Sequence, residues 1–178
     1  HCGIECALDI RKRLPENSVI KDVKVYIYKN AIDIAGQIKV PKVSDDAKFS
    51  VHYSLAVALL KGHFNLGDLD ISGIDDETLR IIDSIELIAD SSMEDRDKGI
   101  RGSKVVVTTE DGSVLEKTVL IPLGDAANPL TWKDLEDKLS ACAEGIISEE
   151  KQKKLMENIH NFDRFHKIDT INLYNILL

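Results

Sequence analysis

The chain has 178 residues, of which 43% are hydrophobic and 30% are charged, and its formal net charge is -8. This length suits one domain, or one domain with an appendage, and allows a substantial core. The acidic balance argues against nucleic acid or an anionic membrane as the main partner, because both carry negative charge. We see no apolar run of the ~20 residues that span a bilayer and no secretory signal. We therefore expect a cytoplasmic protein, and since the chain opens on His1 we treat it as a fragment.

The cysteines and the late histidines do not predict a disulfide framework or a metal site. Cys2 and Cys6 stand one helical turn apart, and Cys142 falls in a late predicted helix. The Cys2-x-x-x-Cys6 spacing lacks a second ligand pair, so zinc is not predicted. His160 and His166 are expected to be exposed or capping residues. Reduced thiols and no metal are the simpler interpretation.

The first third of the chain predicts a helix, a strand and a short helical turn. An apolar stripe at helical spacing predicts a helix over 2–14, which Pro15 closes. Alternating apolar residues over 19–28 predict a half-buried strand. A helical turn over 31–35, stopped by Gly36, precedes an extended run.

The strongest helix signal in the sequence covers 45–61. Ser44 is a suitable N-cap, and Gly62 is a suitable left-handed stop. The segment is apolar almost all round, which indicates a helix buried between layers. Ser50, His52 and Tyr53 are set into this apolar surface. Buried polar side chains need partners, so this end of the helix meets either a hydrogen-bonding core or a polar cleft.

The middle of the chain predicts a further helix and three strands. An acidic start predicts a helix from 75 to about 84, followed by a strand over 85–89. The charged run over 90–103 is typical of a solvated loop. β-rich runs on both sides of Glu110-Asp111-Gly112 predict a hairpin.

Beyond a loop over 122–129 the pattern is helical. A capping box at Thr131 and a second cap at Ser148 each predict a short amphipathic helix, and a third begins at Asp169-Thr170. Helices of this length are marginal alone and must dock on something. We therefore divide the chain into 1–128 and a helical tail over 129–178. We predict an α+β fold with an antiparallel sheet of about four strands. The first and central helices cover one face of this sheet. No G-x-G-x-x-G or Walker sequence supports nucleotide binding.

Three stretches together resemble the MmgE/PrpD family. Residues 47–66, AKFSVHYSLAVALLKGHFNL, resemble its signature helix. Residues 1–7, HCGIECA, resemble its H-x-x-I-[DE]-x-A helix start, and residues 124–131, GDAANPLT, resemble its G-D-x-x-N-P-L-T turn. The resemblance covers essentially the whole chain, but only the C-terminal portion of the family's architecture, in which a large helical region lies upstream.

The resemblance implies candidate site residues. The family's active-site tyrosine and histidine match Tyr53 and His1. Without the resemblance, we would expect Tyr53 to be a core tyrosine whose hydroxyl is bonded to a backbone carbonyl. With the resemblance, an active-site role becomes the better expectation. His1 would lie at a helix N-terminus, which favours a neutral imidazole able to accept a proton. A frayed terminal residue is the alternative.

The same helix adds candidate substrate-binding residues. Lys48 and Ser50 border its start and could contact a carboxylate, although a solvated first-turn lysine is the plainer interpretation of Lys48. His52 stands where the family usually carries a small or proline-like residue, and we give it less weight than Tyr53.

The resemblance implies a cofactor-independent lyase of the 2-methylcitrate dehydratase type. It would remove a proton next to a carboxylate of a small polycarboxylate and release water, with the negative charge stabilised by cationic or hydrogen-bonding groups. The remaining site residues would come from the upstream helical domain of a homodimer, so the isolated segment would be inactive. An epimerase or decarboxylase on a related acid (iminodisuccinate or cis-aconitate) is the alternative within enzymes. A non-catalytic binding or assembly module is the alternative outside them.

Overall fold

A computed structural model describes residues 1–162, and the chain divides into two compact units, His1–Asn128 and Pro129–Leu178. The helices of the first unit are α1 (Cys2–Arg13), α2 (Lys29–Ala35), α3 (Ser44–Lys48), α4 (Val51–Lys61) and α5 (Asp76–Ser84). Its strands are β1 (Ile20–Ile27), β2 (Ile85–Ala89), β3 (Glu94–Asp95), β4 (Ile100–Arg101), β5 (Ser103–Thr109) and β6 (Val114–Val119). Short 3-10 turns lie at Leu66–Leu69, Ile71–Gly73 and Ser91–Met93.

Four strands form the main sheet, in the order β2-β1-β5-β6. β5 pairs antiparallel with both β1 and β6, whereas β2 pairs parallel with β1. The predicted α+β fold with a sheet of about four strands is thus confirmed, and one of its pairs is parallel. The chain passes through α2 to α5 between β1 and β2, and a crossover of that length allows two strands to run in the same direction.

One face of this sheet carries the core. Alternate residues of the two central strands are fully buried, namely Val23, Val25, Val105 and Val107. α1 packs against β5 and β6, and α5 packs against β1. The central helix α4 packs against α1 and α5. We expected the first and central helices to cover the sheet; α1 packs on it as expected, and α5 packs against β1 as well. Buried residues of α4 belong to the same core cluster as the valines of β1 and β5.

The central helix is shorter than predicted, because the chain breaks at Phe49 and Ser50. Ser50 has an extended backbone, with φ -105° and ψ 107°, and it is the N-cap of α4. The residues before it form the separate short helix α3. Asp46, rather than the expected Ser44, caps α3, since its Oδ2 accepts hydrogen bonds from the backbone N–H groups of Lys42 and Val43. The predicted single helix over 45–61 was therefore wrong at this point.

Other predicted boundaries are confirmed. α4 ends at Gly62, which has a left-handed φ of 74°. α1 ends at Leu14, whose extended backbone leads into Pro15. The Asp75 side chain caps α5 by accepting the Thr78 N–H at 2.8 Å. The β5–β6 hairpin turns through Gly112, with φ 85°. The charged run that we predicted to be a loop contains the two-residue strands β3 and β4.

Gly102, just before β5, is closely packed against backbone. A Cβ there would lie 2.9 Å from Leu120 Cα and 2.9 Å from the Val119 carbonyl oxygen. Because backbone cannot move aside cheaply, Gly102→Ala should lower the free energy of unfolding by about 1–3 kcal/mol. A Cβ at Gly73 meets no described atom within 4 Å. In urea unfolding, the free energy of unfolding of Gly73→Ala should therefore stay within about 0.5 kcal/mol of the wild-type value. Equal free energies of unfolding for the two variants would contradict the close packing at Gly102.

The second unit contains α6 (Trp132–Ala143) and α7 (Glu149–His160). Thr131 and Asp134 form the predicted capping box. His160 stacks on the Trp132 ring with 4.1 Å between ring centroids. The helix predicted from Asp169-Thr170 lies outside the described residues. Within residues 1–162, every helix is too short or too polar to cross a membrane.

Candidate functional site

Ser50 fixes the start of α4 through two hydrogen bonds to backbone. Its hydroxyl accepts the Tyr53 N–H at 3.0 Å and donates to the Lys39 carbonyl at 3.2 Å. The side chain is buried, with 2% exposure. The first bond caps α4, and the second holds this end of the helix against the segment that precedes α3.

Tyr53 points into the protein. Its residue is 3% exposed, and its hydroxyl donates a 2.6 Å hydrogen bond to the backbone carbonyl of Asp68. The ring meets Phe64 edge to face, with ring centroids 6.2 Å apart. Burial raises the pKa of the Tyr53 phenol above its ordinary value. A phenol has one proton, and a carbonyl can only accept it, so in this arrangement the Tyr53 oxygen offers only lone pairs to a ligand.

The Asp68 carboxylate forms a cluster that our sequence analysis missed. It is 4% exposed, and Lys61 Nζ lies 2.9 Å from Oδ1. His63 Nδ1 lies 3.0 Å from Oδ2, and the Asn65 N–H donates to the same oxygen at 2.9 Å. Burial by itself would raise the pKa of this carboxyl, but Lys61, Asn65 and His63 outweigh it and hold the pKa below its ordinary value. The local signal was Asn65-x-x-Asp68, which is a capping-box spacing.

His52 is buried beside Lys39, with 8% exposure. Its Nδ1 has no hydrogen-bond partner within the part of the chain that the structure describes. Burial lowers the pKa of the imidazole below its ordinary value of 6.5, and the Lys39 ammonium lowers it further. A buried polar atom of this kind needs an explanation, and a neutral imidazole is the form that this environment favours.

The stability of the fold should therefore depend on the protonation of His52. The unfolded chain takes up a proton near pH 6.5, whereas folded His52 resists it, so stability present above pH 6.5 is lost as the pH falls through the lowered folded pKa. The loss is at most about 1.4 kcal/mol per pH unit for one group. Urea unfolding between pH 8 and pH 5 should show a shallower decline for His52→Gln than for the wild type. Parallel declines would contradict this assignment.

Lys48 lies on the surface at the end of α3. Its ammonium pairs with Asp45 at 2.8 Å, one turn earlier on the same helix. The Lys48 side chain is half exposed and the Asp45 side chain is mostly exposed. An ion pair of this kind adds little to stability, and it leaves the lysine free to exchange its partner for another carboxylate.

His1 is exposed and is the N-cap residue of α1. Its side chain makes no capping hydrogen bond to the described chain. A Cβ at Gly3 would lie 3.5 Å from Leu55 Cδ2, and one at Gly62 would lie 3.7 Å from Arg11 Cγ. α1 and α4 therefore run side by side in the same direction, and their N-termini lie at the same end of the unit.

The side chains of His1 and Tyr53 are nevertheless not brought into contact. Leu55 faces α1, and Tyr53 precedes it by two residues, so its side chain points about 160° away around the helix. It reaches the 3-10 turn that carries Asp68. Among the predicted site residues, Ser50 and Tyr53 are joined directly by a hydrogen bond, whereas His1 and Lys48 lie apart on the surface.

Two of the sequence motifs meet at the start of α1. Glu5 Oε1 accepts the Leu123 N–H at 2.7 Å, which ties the loop after β6 to α1. That loop closes on itself, since the Gly124 N–H donates to the Asn128 carbonyl at 2.8 Å. Gly124 has φ 97°, a conformation that favours glycine. The 1–7 motif and the turn that opens the 124–131 motif therefore form one continuous corner of the fold.

The cysteines of α1 are buried free thiols. Cys2 donates to the Arg101 carbonyl at 3.3 Å, and Cys6 donates to the Ser103 carbonyl at 3.4 Å. Burial raises the pKa of the Cys6 thiol to about 12. A thiol in this state is a poor nucleophile, so these residues act here as packing groups between α1 and the sheet.

Comparison with known proteins identifies the family. The model of the MmgE/PrpD C-terminal domain matches residues 1–164, which include the whole first unit and all of the described part of the second. No curated protein matches the chain. The chain therefore belongs to the MmgE/PrpD family, and it corresponds to the C-terminal domain of that family.

Proposed function

We propose that this chain is the C-terminal part of a cofactor-independent lyase that dehydrates a small polycarboxylate, as a 2-methylcitrate dehydratase does. The observation that carries the proposal is the family match over residues 1–164, in a chain that has His1 and Tyr53 at the matching motif positions. The family as a whole supports a lyase. Within that class we propose dehydration of a citrate-like acid.

The proposed chemistry begins with removal of a C–H proton next to a carboxylate. His1 is the base, because it is exposed at the N-terminus of α1 and carries no competing capping hydrogen bond among the described residues. The negative charge that develops needs cations or hydrogen-bond donors. Lys48 can exchange its exposed partner Asp45 for a substrate carboxylate. Ser50 supports the first turn of α4 through backbone groups, and His52 lies in that turn with its Nδ1 unpartnered among the described residues.

Tyr53 is the proposed group nearest to the leaving hydroxyl. In the described arrangement its proton goes to the Asp68 carbonyl. Its oxygen can accept a hydrogen bond from a substrate hydroxyl, and it can protonate a leaving group only after the carbonyl releases it.

The proposed enzyme includes parts outside this chain. We propose that an upstream helical domain supplies further cationic groups and packs on the tail, and that the enzyme is a cytoplasmic homodimer. Several large apolar side chains of the tail are exposed, which supports a packing partner for it, namely Trp132, Leu135 and Ile146. The 178-residue chain alone should show no turnover, while the native full-length protein should be active and should have the mass of a dimer in solution.

Proton NMR in D2O tests the reaction class. The native protein is offered methylcitrate, citrate, cis-aconitate and iminodisuccinate separately. New vinyl signals from a hydroxy acid would support dehydration, loss of a carboxylate would show decarboxylation, and deuterium exchange at a stereocentre without net loss would show epimerisation. No change with any acid, from folded protein, would overturn the enzyme proposal.

A binding or assembly module is the second candidate, and one observation favours it. Tyr53 is almost wholly buried and its hydroxyl already has a backbone partner, as expected for a tyrosine that serves only the core. In that case Tyr53→Phe would change stability and leave no catalytic effect to measure.

A further inference from the structure

The Tyr53 hydroxyl is held by a turn that carries an unusual concentration of charge. The acceptor is the backbone carbonyl of Asp68, at 2.6 Å. The same residue has a buried carboxylate, 4% exposed, which touches Lys61, His63 and the Asn65 N–H. Asp68 therefore has two roles. Its backbone carbonyl holds the Tyr53 hydroxyl, and its carboxylate is held by Lys61, His63 and Asn65.

These contacts join two elements of the fold, the end of α4 and the turn that follows it. Lys61 is the last residue of α4, whereas Asp68 belongs to the 3-10 turn Leu66–Leu69. Lys61 Nζ and Asp68 Oδ1 are 2.9 Å apart, so the ion pair holds the turn beside the helix that carries Tyr53. Asn65 Oδ1 also accepts the Gly67 N–H at 3.0 Å, which closes the start of the turn.

Burial makes this carboxylate costly unless its partners remain in place. Removing one partner of a buried charge leaves the other uncompensated. Lys61 is half exposed and His63 is half exposed, so each can be replaced without opening the core. Replacing either partner should therefore loosen the turn first, and the Asp68 carbonyl with it.

The geometry points to Asp68 as a positioning residue for Tyr53: its carboxylate, clamped by Lys61, His63 and the Asn65 N–H, fixes the carbonyl that holds the Tyr53 hydroxyl. This inference rests on the proposed function for its catalytic consequence, since it assigns the orientation of Tyr53 to a residue that itself contacts no substrate. Its structural half, the control of the Tyr53 hydroxyl by Asp68, is measurable without turnover.

A double-mutant cycle tests the catalytic consequence in the native full-length protein. Asp68→Asn should lower kcat by about tenfold with KM within about twofold, and in a Tyr53→Phe background it should change kcat by less than about twofold. Lys61→Met should lower kcat in the same way and serves if Asp68→Asn does not fold. Lys29→Met removes an exposed lysine that pairs with Asp33 on α2, and it should leave kcat unchanged. An equal loss from Asp68→Asn in both backgrounds would overturn the inference.

Carbon NMR of the tyrosine ring tests the structural half. With tyrosine labelled at Cζ, the Tyr53 signal is the one that Tyr53→Phe removes. At neutral pH, where the phenol keeps its proton, Asp68→Asn and Lys61→Met remove charges of opposite sign, and both should move that signal in the same direction, because both release the carbonyl that accepts the Tyr53 proton. Lys29→Met should leave the signal in place, and shifts in opposite directions for Asp68→Asn and Lys61→Met would be the effect of charge alone and would overturn the inference. An unmoved signal overturns the inference. If the wild type turns over none of the four acids, the proposed function fails, and the Cζ signals of these variants still decide the Asp68 contact.

Discussion

Tyr53→Phe should lower kcat by about 10²–10⁴-fold for the acid that the native protein turns over, the range lost with a positioned acid or hydrogen-bonding group. The ring and its edge-to-face contact with Phe64 stay in place, because only the hydroxyl is removed. The Asp68 carbonyl then loses its donor, which should lower the free energy of unfolding by about 1–2 kcal/mol. A large loss of turnover with a modest loss of stability is the expected result.

Tyr26→Phe is the matched control. Tyr26 lies on β1 and is half-buried, on the strand face opposite the fully buried Val25. Steady-state kinetics and urea unfolding of both variants should separate the two tyrosines, with Tyr26→Phe close to the wild type in both measurements. Unchanged kcat in Tyr53→Phe would assign Tyr53 to the core alone and would overturn its proposed role in the reaction.

Elements specified by local signals were predictable from the sequence. Asp75 caps α5 with a side chain that is adjacent in sequence to the N–H groups it satisfies. Gly62 and Gly112 adopt positive φ at a helix end and in a hairpin, where glycine is the residue that avoids strain. In each case the residue and its partner lie within a few positions of one another, so the pattern itself contains the interaction.

Elements specified by tertiary contacts were not predictable in this way. The break at Ser50 depends on the Lys39 carbonyl, eleven residues away, which accepts its hydroxyl. The parallel pairing of β1 with β2 brings Val25 opposite Leu87, and strand alternation alone does not specify a partner strand.

The candidate site shows the same division. The position of Tyr53 on a buried helix followed from periodicity, whereas its hydrogen bond to Asp68 joins residues that are fifteen positions apart, on either side of the end of α4. Asp68 lies in a polar, turn-like stretch, where an acidic residue is ordinarily solvated. Its burial arises from Lys61 and His63 closing over it, and that arrangement exists only in the folded chain.

Leu55→Ala should produce a large loss of stability, because Leu55 lies where the two motif helices meet. It is 1% exposed, and its Cδ2 lies 3.5 Å from the position of a Cβ at Gly3 of α1. α4 is surrounded by other elements, so the space left by the side chain cannot close without moving α1 or α5. The expected loss in the free energy of unfolding is about 3–4 kcal/mol, in the middle of the range for such cavities.

Leu66→Ala provides the control, since Leu66 is 65% exposed and the variant should stay within about 0.5 kcal/mol of the wild type in urea unfolding.

The Leu55→Ala substitution also bears on the proposed site. α1 carries His1 and α4 carries Tyr53, and Leu55 helps to set the distance between these two helices. Under conditions where both proteins remain folded, Leu55→Ala should reduce kcat less than Tyr53→Phe does, because it removes packing and leaves both proposed groups in place. A greater loss of turnover in folded Leu55→Ala would mean that helix spacing, more than the Tyr53 hydroxyl, controls the reaction.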